Sequence, residues 1–415
     1  MGNVRFAPTD SGSFFGEYLY DLVVPKGHFL RKLEAVIDWD WYTEKLIALY
    51  KGAGLYGRPP FEPAVMLKML LLAYLYNLSE RQVERFVNEN LPAKWFLGLA
   101  VDKRAPDHTT LKDFRERLVK KGELGTLNGL LEAVVKTALS KGVRFGSIQV
   151  VDSVHTVANV NTSKDEGRKG KGKGPRDKDA RWGVKHSRKV KDEEGRTVVQ
   201  REYFYGYKAH VSMDAESGII TSVVTTPGNG SDGRELPGLV ERDLAQGVPV
   251  ETVAADRAYD DGDNHYFLKC RGLHSAIRLK DYRLRESPGR KVWADLAETP
   301  EYQAGRKERY KIERKFGEAK RWHGLGRCRY LGLVKYTLQA VVTAIVLNLK
   351  WLVKLLTEVG FRVPSVAHSS ANHALRQGES EKKGMNGAQR GRRGRAGALS
   401  VRPQWPSCRF KPTPA

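Results

Sequence analysis

The chain has 415 residues, of which 71 are Lys or Arg and 48 are Asp or Glu, giving a formal net charge of +23 at pH 7. A balance this basic attracts polyanions, nucleic acid first among them, and the length accommodates two or three domains of about 100–200 residues. The three cysteines, Cys270, Cys328 and Cys408, include no CxxC pair, which excludes a disulfide framework or a cysteine zinc site and fits a reducing cytoplasm. Apolar stretches at 64–78 and 336–349 fall short of the roughly 18 residues a membrane span needs, and Lys68, Lys335 and Lys350 interrupt or flank them. The opening MGNVRFAPTD has no basic region followed by an apolar core, so a soluble, unprocessed chain is expected.

The first 50 residues are rich in aromatics and end in a helical pattern, VIDWDWYTEKLIALY, before the glycine-rich turn GAGLYGRPPF. Pro63 suits a first helical turn, and AVMLKMLLLAYLYNL is apolar on most faces, which predicts a buried helix. Ser79 with Gln82 forms a capping-box pattern that starts a second helix through about Asn88. A third begins near Asp107 and carries LKDFRERLVKK, with a basic face, including Arg115, expected to point outward. Short helices joined by tight turns resemble a helix-turn-helix DNA reader, although the same pattern serves as a plain packing unit. A further amphipathic helix fits 122–142.

From residue 143 the pattern turns to β. GSIQVVDSVHTVANVN predicts two strands or a hairpin, YFYGYKAHVSMDAESGIITSVVTTPGN two more, and ETVAADRAY another; helical patterns occupy 261–272 and 307–358. Strands followed by a crossing helix, another strand and long helices indicate an α/β layer fold. Residues 163–197 are packed with Lys, Gly and Asp and read as an extended basic loop along a phosphate backbone, with Lys169, Lys171 and Lys173 as candidate contacts, or as a solvated charged loop. Residues 363–415 are polar, Gly-rich and Arg-rich, and are expected to be a disordered basic tail. The resulting division is an all-α DNA-binding domain over 1–142, an α/β catalytic domain over 143–362, and the tail.

Three acids stand where chemistry would need them. Asp152 ends the apolar run SIQVVD and Asp256 the run ETVAAD, so each carboxylate is delivered at the end of a core strand, while Glu313 lies in a helix. Cleaving or joining a DNA strand needs an activated oxygen nucleophile and a sink for charge on the leaving oxygen. Two divalent ions about 3.5 to 4 Å apart supply both, and Mg²⁺ needs only two or three hard carboxylate ligands. In ERYKIERKFGEAK, Arg309, Glu313, Phe316 and Lys320 share one helical face, which places Lys320 about 10 Å from the acid along the axis. A helix laced with Arg–Glu–Lys ion pairs would show the same spacing. Glu318, on a different face, competes with Glu313 as the acid. His155, His210 and Asp232 are expected to hold a strand or turn. Trp182, Trp293 and Trp322 could stack on an unpaired base, or simply pack.

Taken in order, these segments resemble an insertion-sequence transposase of the DDE class, the group with a Y-x2-R-x3-E-x6-K signature in its last catalytic helix. Arg309, Glu313 and Lys320 match the last three members; Arg306 stands in the tyrosine's place, with Tyr302 and Tyr310 nearby. VDSV around Asp152, FYGYKAHV, TTPGN followed by Asp232, and AADRAY around Asp256 also match in order. So do GRPPFEP, LYNLSERQVE and PDHTTLKDFRERL in the N-terminal block, and the likeness spans 45–355. The resemblance implies a ribonuclease H-like fold, two Mg²⁺ or Mn²⁺ ions held by Asp152, Asp256 and Glu313, and phosphate contacts from Arg309 and Lys320. It implies binding to double-stranded DNA at terminal inverted repeats, strand cleavage, transfer of the freed 3′-hydroxyl to target DNA, and a homodimer on paired ends in a prokaryotic, nucleoid-associated setting. A ribonuclease H-like nuclease that only hydrolyses, and a noncatalytic DNA-binding relic, are the alternatives.

Overall fold

In the N-terminal region α1 (Phe14–Val23), α2 (Phe29–Val36) and α3 (Trp39–Leu46) lead to α4 (Pro63–Leu75), which opens with Pro63 and is buried along its whole length. With no polar face to offer solvent, α4 can only be a central helix. The capping box expected at Ser79 forms: the Gln82 N–H donates to Ser79 Oγ at 3.3 Å, the Ser79 N–H to Gln82 Oε1 at 2.9 Å, and α5 (Glu80–Glu89) follows. After α6 (Leu91–Phe96), the Asp107 carboxylate accepts the Thr110 N–H at 2.7 Å at the start of α7 (His108–Lys120), and α8 (Leu124–Ser140) completes the region. This computed structural model describes residues 6–9, 14–50, 59–120, 124–169, 172–191, 197–285 and 290–361; most of the glycine-rich turn and the basic tail lie outside the described residues.

The second region is built on a mixed sheet. Its elements, in chain order, are β1 (Ile148–Val157), α9 (Thr162–Lys169), β2 (Arg181–Lys191), β3 (Thr197–Asp214), β4 (Ile220–Pro227), α10 (Asp232–Ala245), β5 (Thr252–Ala255), α11 (Gly262–Cys270), β6 (His274–Ile277), α12 (Lys291–Glu298), α13 (Pro300–Glu308), α14 (Tyr310–Trp322) and α15 (Leu333–Thr357). β3 runs antiparallel to both β1 and β4, whereas β5 lies parallel to β1 and β6 parallel to β5. Three antiparallel strands extended by two parallel ones, with helices on both faces, form the α/β ribonuclease H-like arrangement expected.

Three expectations are corrected. GSIQVVDSVHTVANVN makes one long strand, because β3 is long enough to pair with all of β1 from Gln149 to Val157. Residues 163–197 are not an extended loop: they contain α9 and β2, and β2 pairs with the first half of β3 from Arg181–Gly206 to Lys191–Thr197. The apolar run near 336–349 is the middle of a 25-residue helix that is long and apolar enough to cross a membrane. It is instead a core helix: α15 is mostly buried and packs against β4, β3, α8, α4 and α2. Through α15 the described residues of both regions belong to one unit, Met1–Arg362, with a continuous apolar core.

Candidate active site

The parallel register of β1 and β5 pairs Val151 with Ala255, so Asp152, still within β1, and Asp256, just past the end of β5, each follow a paired residue. β1 continues past this point with β3 alone, while β5 stops, which opens the sheet edge at the two acids. The Ser153 N–H donates to Asp152 Oδ1 at 2.7 Å. Asp256 caps the short 3₁₀ turn Arg257–Tyr259, accepting the Ala258 N–H at 2.7 Å.

Glu313 arrives from the helical layer. α13 lies directly on β5 and β6 because Gly305 faces them: a Cβ there would stand 2.5 Å from the Ala276 Cβ and 3.3 Å from that of Ala254. α14 continues from α13 through Arg309, whose backbone stays in the right-handed helical region, and packs beside β1. Arg309 Nη2 lies 3.8 Å from Asp152 Oδ2 and 3.8 Å from Glu313 Oε1, so one guanidinium bridges the strand acid and the helix acid. Glu318, the competing acid, is held by Lys350 of α15 at 2.5 Å and faces His323. Burial alone would raise its pKa, but hydrogen bonds from His323 and Lys350 hold it down to about 2, so it fastens α14 to α15. Tyr302, nearest in type to the signature tyrosine, is buried with its hydroxyl accepting the Leu279 N–H at 3.2 Å. Tyr310 is exposed.

Burial and the neighbouring Asp256 push the Asp152 carboxyl up to about 7, with Glu313 adding to the rise and the Ser153 N–H and Arg309 opposing it. Surplus negative charge therefore converges on one carboxyl with only 15% of its side chain exposed. Oxygen donors with excess negative charge suit a hard divalent cation. Among the described residues no three His, Cys, Asp or Glu side chains stand in a ligating arrangement. Arg309 lies between Asp152 and Glu313, and the Glu313 side chain is 63% exposed.

Sequence reasoning missed what anchors the Asp256 turn. Asp260 is buried and serves as a hub: it meets His265 Nε2 at 3.0 Å, accepts the Lys280 N–H at 2.7 Å, and forms an ion pair with the Arg283 guanidinium at 2.9 Å. Ser275 on β6 meets His265 Nδ1 at 2.8 Å, and Arg257 makes a two-pronged pair with Asp281 at 2.6 and 3.1 Å. The only signal was a second acid four residues after Asp256. Tyr259, buried between, has a pKa raised well above the usual value by burial and by Asp152, Asp232 and Asp256.

The remaining candidates separate by environment. Asp232 pairs with Lys208 at 2.9 Å, and the buried His210 ring meets Thr226 Oγ1 at 2.9 Å. Burial holds His210 down to about 4, against the raising effect of Asp232. His155 packs on Phe204 with centroids 5.0 Å apart. The Arg283 guanidinium lies over the Trp293 ring, which meets His265 edge-on, Trp322 meets Arg321, and Trp182 is exposed. Arg115 corrects its expectation: it is buried on α7, paired with Glu80 at 2.6 Å and Glu116 at 3.0 Å and stacked on Tyr330, so it holds the helical region together rather than facing DNA. Lys173 is exposed, Lys171 lies outside the described residues, and Lys169 ends α9. Burial and the neighbouring Lys185 lower the pKa of Lys320.

A ribonuclease H-like sheet thus presents two strand-end aspartates, linked to a helix-borne glutamate through a shared arginine. Residues 18–117 match the family model described as a transposase domain (DUF772), and residues 146–349 match the transposase DDE domain. The chain belongs to the DDE transposases, divalent-metal-dependent enzymes of DNA strand cleavage and transfer. Its similarity to the cryo-EM structure of the piggyBac transposase synaptic complex with hairpin DNA is distant: 11% identity and a TM-score of 0.36, over 86% of this chain and 79% of that one.

Proposed function

We propose that this transposase binds the terminal inverted repeats of its element as double-stranded DNA, cuts at the element ends and joins the freed 3′-hydroxyls to target DNA, with Asp152, Asp256 and Glu313 as its catalytic metal ligands. The observation that carries this reading is the adjacency of Asp152 and Asp256 across the β1–β5 register, with Arg309 linking Asp152 to Glu313.

Two Mg²⁺ or Mn²⁺ ions would supply activation of the attacking oxygen and charge relief at the leaving oxygen. The protein's part is placement. Asp152 and Asp256 present oxygens from a rigid sheet edge, the Asp260 hub keeps the Asp256 turn in place, and Glu313 completes the set by a change of rotamer toward the strands. Arg309, released from the acids, then meets a phosphate on the side where Lys320 stands. Lys320, Lys169, Lys171 and Lys173 are further phosphate contacts in this reading. A homodimer gives each element end its own active site, and the setting is the prokaryotic nucleoid in the cytoplasm.

The test uses Asp152→Asn, Asp256→Asn and Glu313→Gln on DNA carrying an element end, with a target plasmid. Each variant is expected to lose cleavage and joining with Mg²⁺ or Mn²⁺ while end binding in Ca²⁺ survives. Normal cutting by a variant removes that residue from the site. Hydrolysis by the wild type without joined products would make it a nuclease, and end binding without cutting a relic.

A further inference from the structure

The β2–β3 pair leaves the sheet. β3 pairs with β1 only from Gly206 onward and with β4 only from Tyr207, so Thr197–Phe204 is bonded, among the described residues, to β2 alone. Eight residues of two-stranded ribbon extend about 26 Å, and a ribbon of this kind is marginal in water without a partner. It nevertheless exposes Trp182, Val184, Val190, Val198, Val199 and Tyr203. Among the described side chains its strands carry Arg181, Lys185, Lys191 and Arg201, with Lys185 paired to the acid Glu202 at 2.6 Å. Lys185 near the root of the ribbon faces the same field as Lys320 on α14, whose pKa burial and then Lys185 lower.

We infer that the β2–β3 ribbon enters the major groove of the DNA duplex flanking the cleavage site, with its basic side chains on the phosphates and its exposed apolar side chains on base edges. The major groove, about 12 Å wide, admits a two-stranded β-ribbon, and apolar side chains find thymine methyl groups there. Charge complementarity selects DNA over a second copy of this cationic chain. Duplex held this way leads past Lys185 and Lys320 toward Asp152. This inference rests on the proposed DNA-end function.

The test is equilibrium binding of an end-bearing duplex by fluorescence anisotropy over a salt series, comparing wild type, the double variant Lys191→Ala/Arg201→Ala and the conservative Arg201→Lys. Loss of two phosphate contacts should reduce the slope of log affinity against log salt by about 2 and weaken binding at low salt at least tenfold, while Arg201→Lys keeps both. In parallel, methylating guanine N7, which lies in the major groove, should interfere with wild-type binding within one helical turn of the cut. That interference should disappear when Lys185–Glu202 is replaced by a short turn. Unchanged slope in the double variant, or unchanged interference after shortening, overturns the inference, as does a ribbon change that alters only the oligomeric state. Wild type that binds no end duplex would bring down the functional reading as well; wild type that binds, with variants binding equally, would bring down the ribbon alone.

Discussion

Gly305→Ala tests whether the α13–sheet contact sets the position of α14, the proposed catalytic helix. The added methyl would meet the Ala276 Cβ at 2.5 Å, where comfortable carbon contacts lie near 3.5–4.0 Å, so α13 must retreat by about 1 Å. Overpacking of this kind costs about 1–3 kcal/mol, and the helix-propensity gain of Ala over Gly returns up to about 1 kcal/mol, so only a mild loss of stability is expected. The effect on chemistry is larger, because Arg309 and Glu313 ride on the same helical run and a displacement of about 1 Å can cost about 100-fold in rate. Single-turnover cleavage of end-bearing DNA should fall by that order while binding in Ca²⁺ holds. Ala276→Gly, which removes the opposing methyl, should recover at least tenfold in the double variant. Cleavage by Gly305→Ala within about twofold of wild type at unchanged melting temperature would refute the reasoning.

Arg115→Ala removes the buried guanidinium shared by Glu80 and Glu116, although Glu116 keeps Lys335 at 3.1 Å, and should destabilise the protein by about 1.5–3 kcal/mol in denaturant unfolding, with no change in the salt slope of DNA binding. Because Asp152 is pushed up to about 7, a bound cation must displace its proton at lower pH. The metal concentration needed for half-maximal cleavage should then rise about tenfold per pH unit below 7 and level off above it, and a flat profile would show the acid already ionised. Burial pushes the Asp243 carboxyl up to about 6, against hydrogen bonds from Ser212, Thr221 and Ser222. A raised folded pKa means that the folded state holds the proton longer, so this stabilisation is complete below about pH 4 and declines as pH rises to 6. The stability advantage of wild type over Asp243→Asn should shrink by on the order of 3 kcal/mol between those limits; a constant difference would mean Asp243 is not protonated.

The strands β1 and β5 were legible because they are buried apolar runs ending in an acid, and the Ser79–Gln82 box declared its helix locally. What escaped was set by pairing partners remote in sequence. β2 is too rich in Lys and Arg to read as a strand until β3 supplies its ladder, and four-residue β6 is too short to show alternation. Arg115 sits in a basic string, and nothing local announces that Glu80 and Tyr330 will enclose it. For the proposed site, the candidate acids and their order come from the chain, whereas the bridging position of Arg309 and the Asp260 hub depend on side chains meeting across elements.

α15 packs on the sheet on one side and on the helical region on the other, so the two parts share one continuous core through it, while a second apolar cluster under α10 and α11 belongs to the sheet region alone. Grafting a foreign DNA-reading block onto this enzyme would tear a hydrophobic face from its lid. New end specificity in such a molecule is therefore more accessible through residue-by-residue drift on the surface than through shuffling of modules.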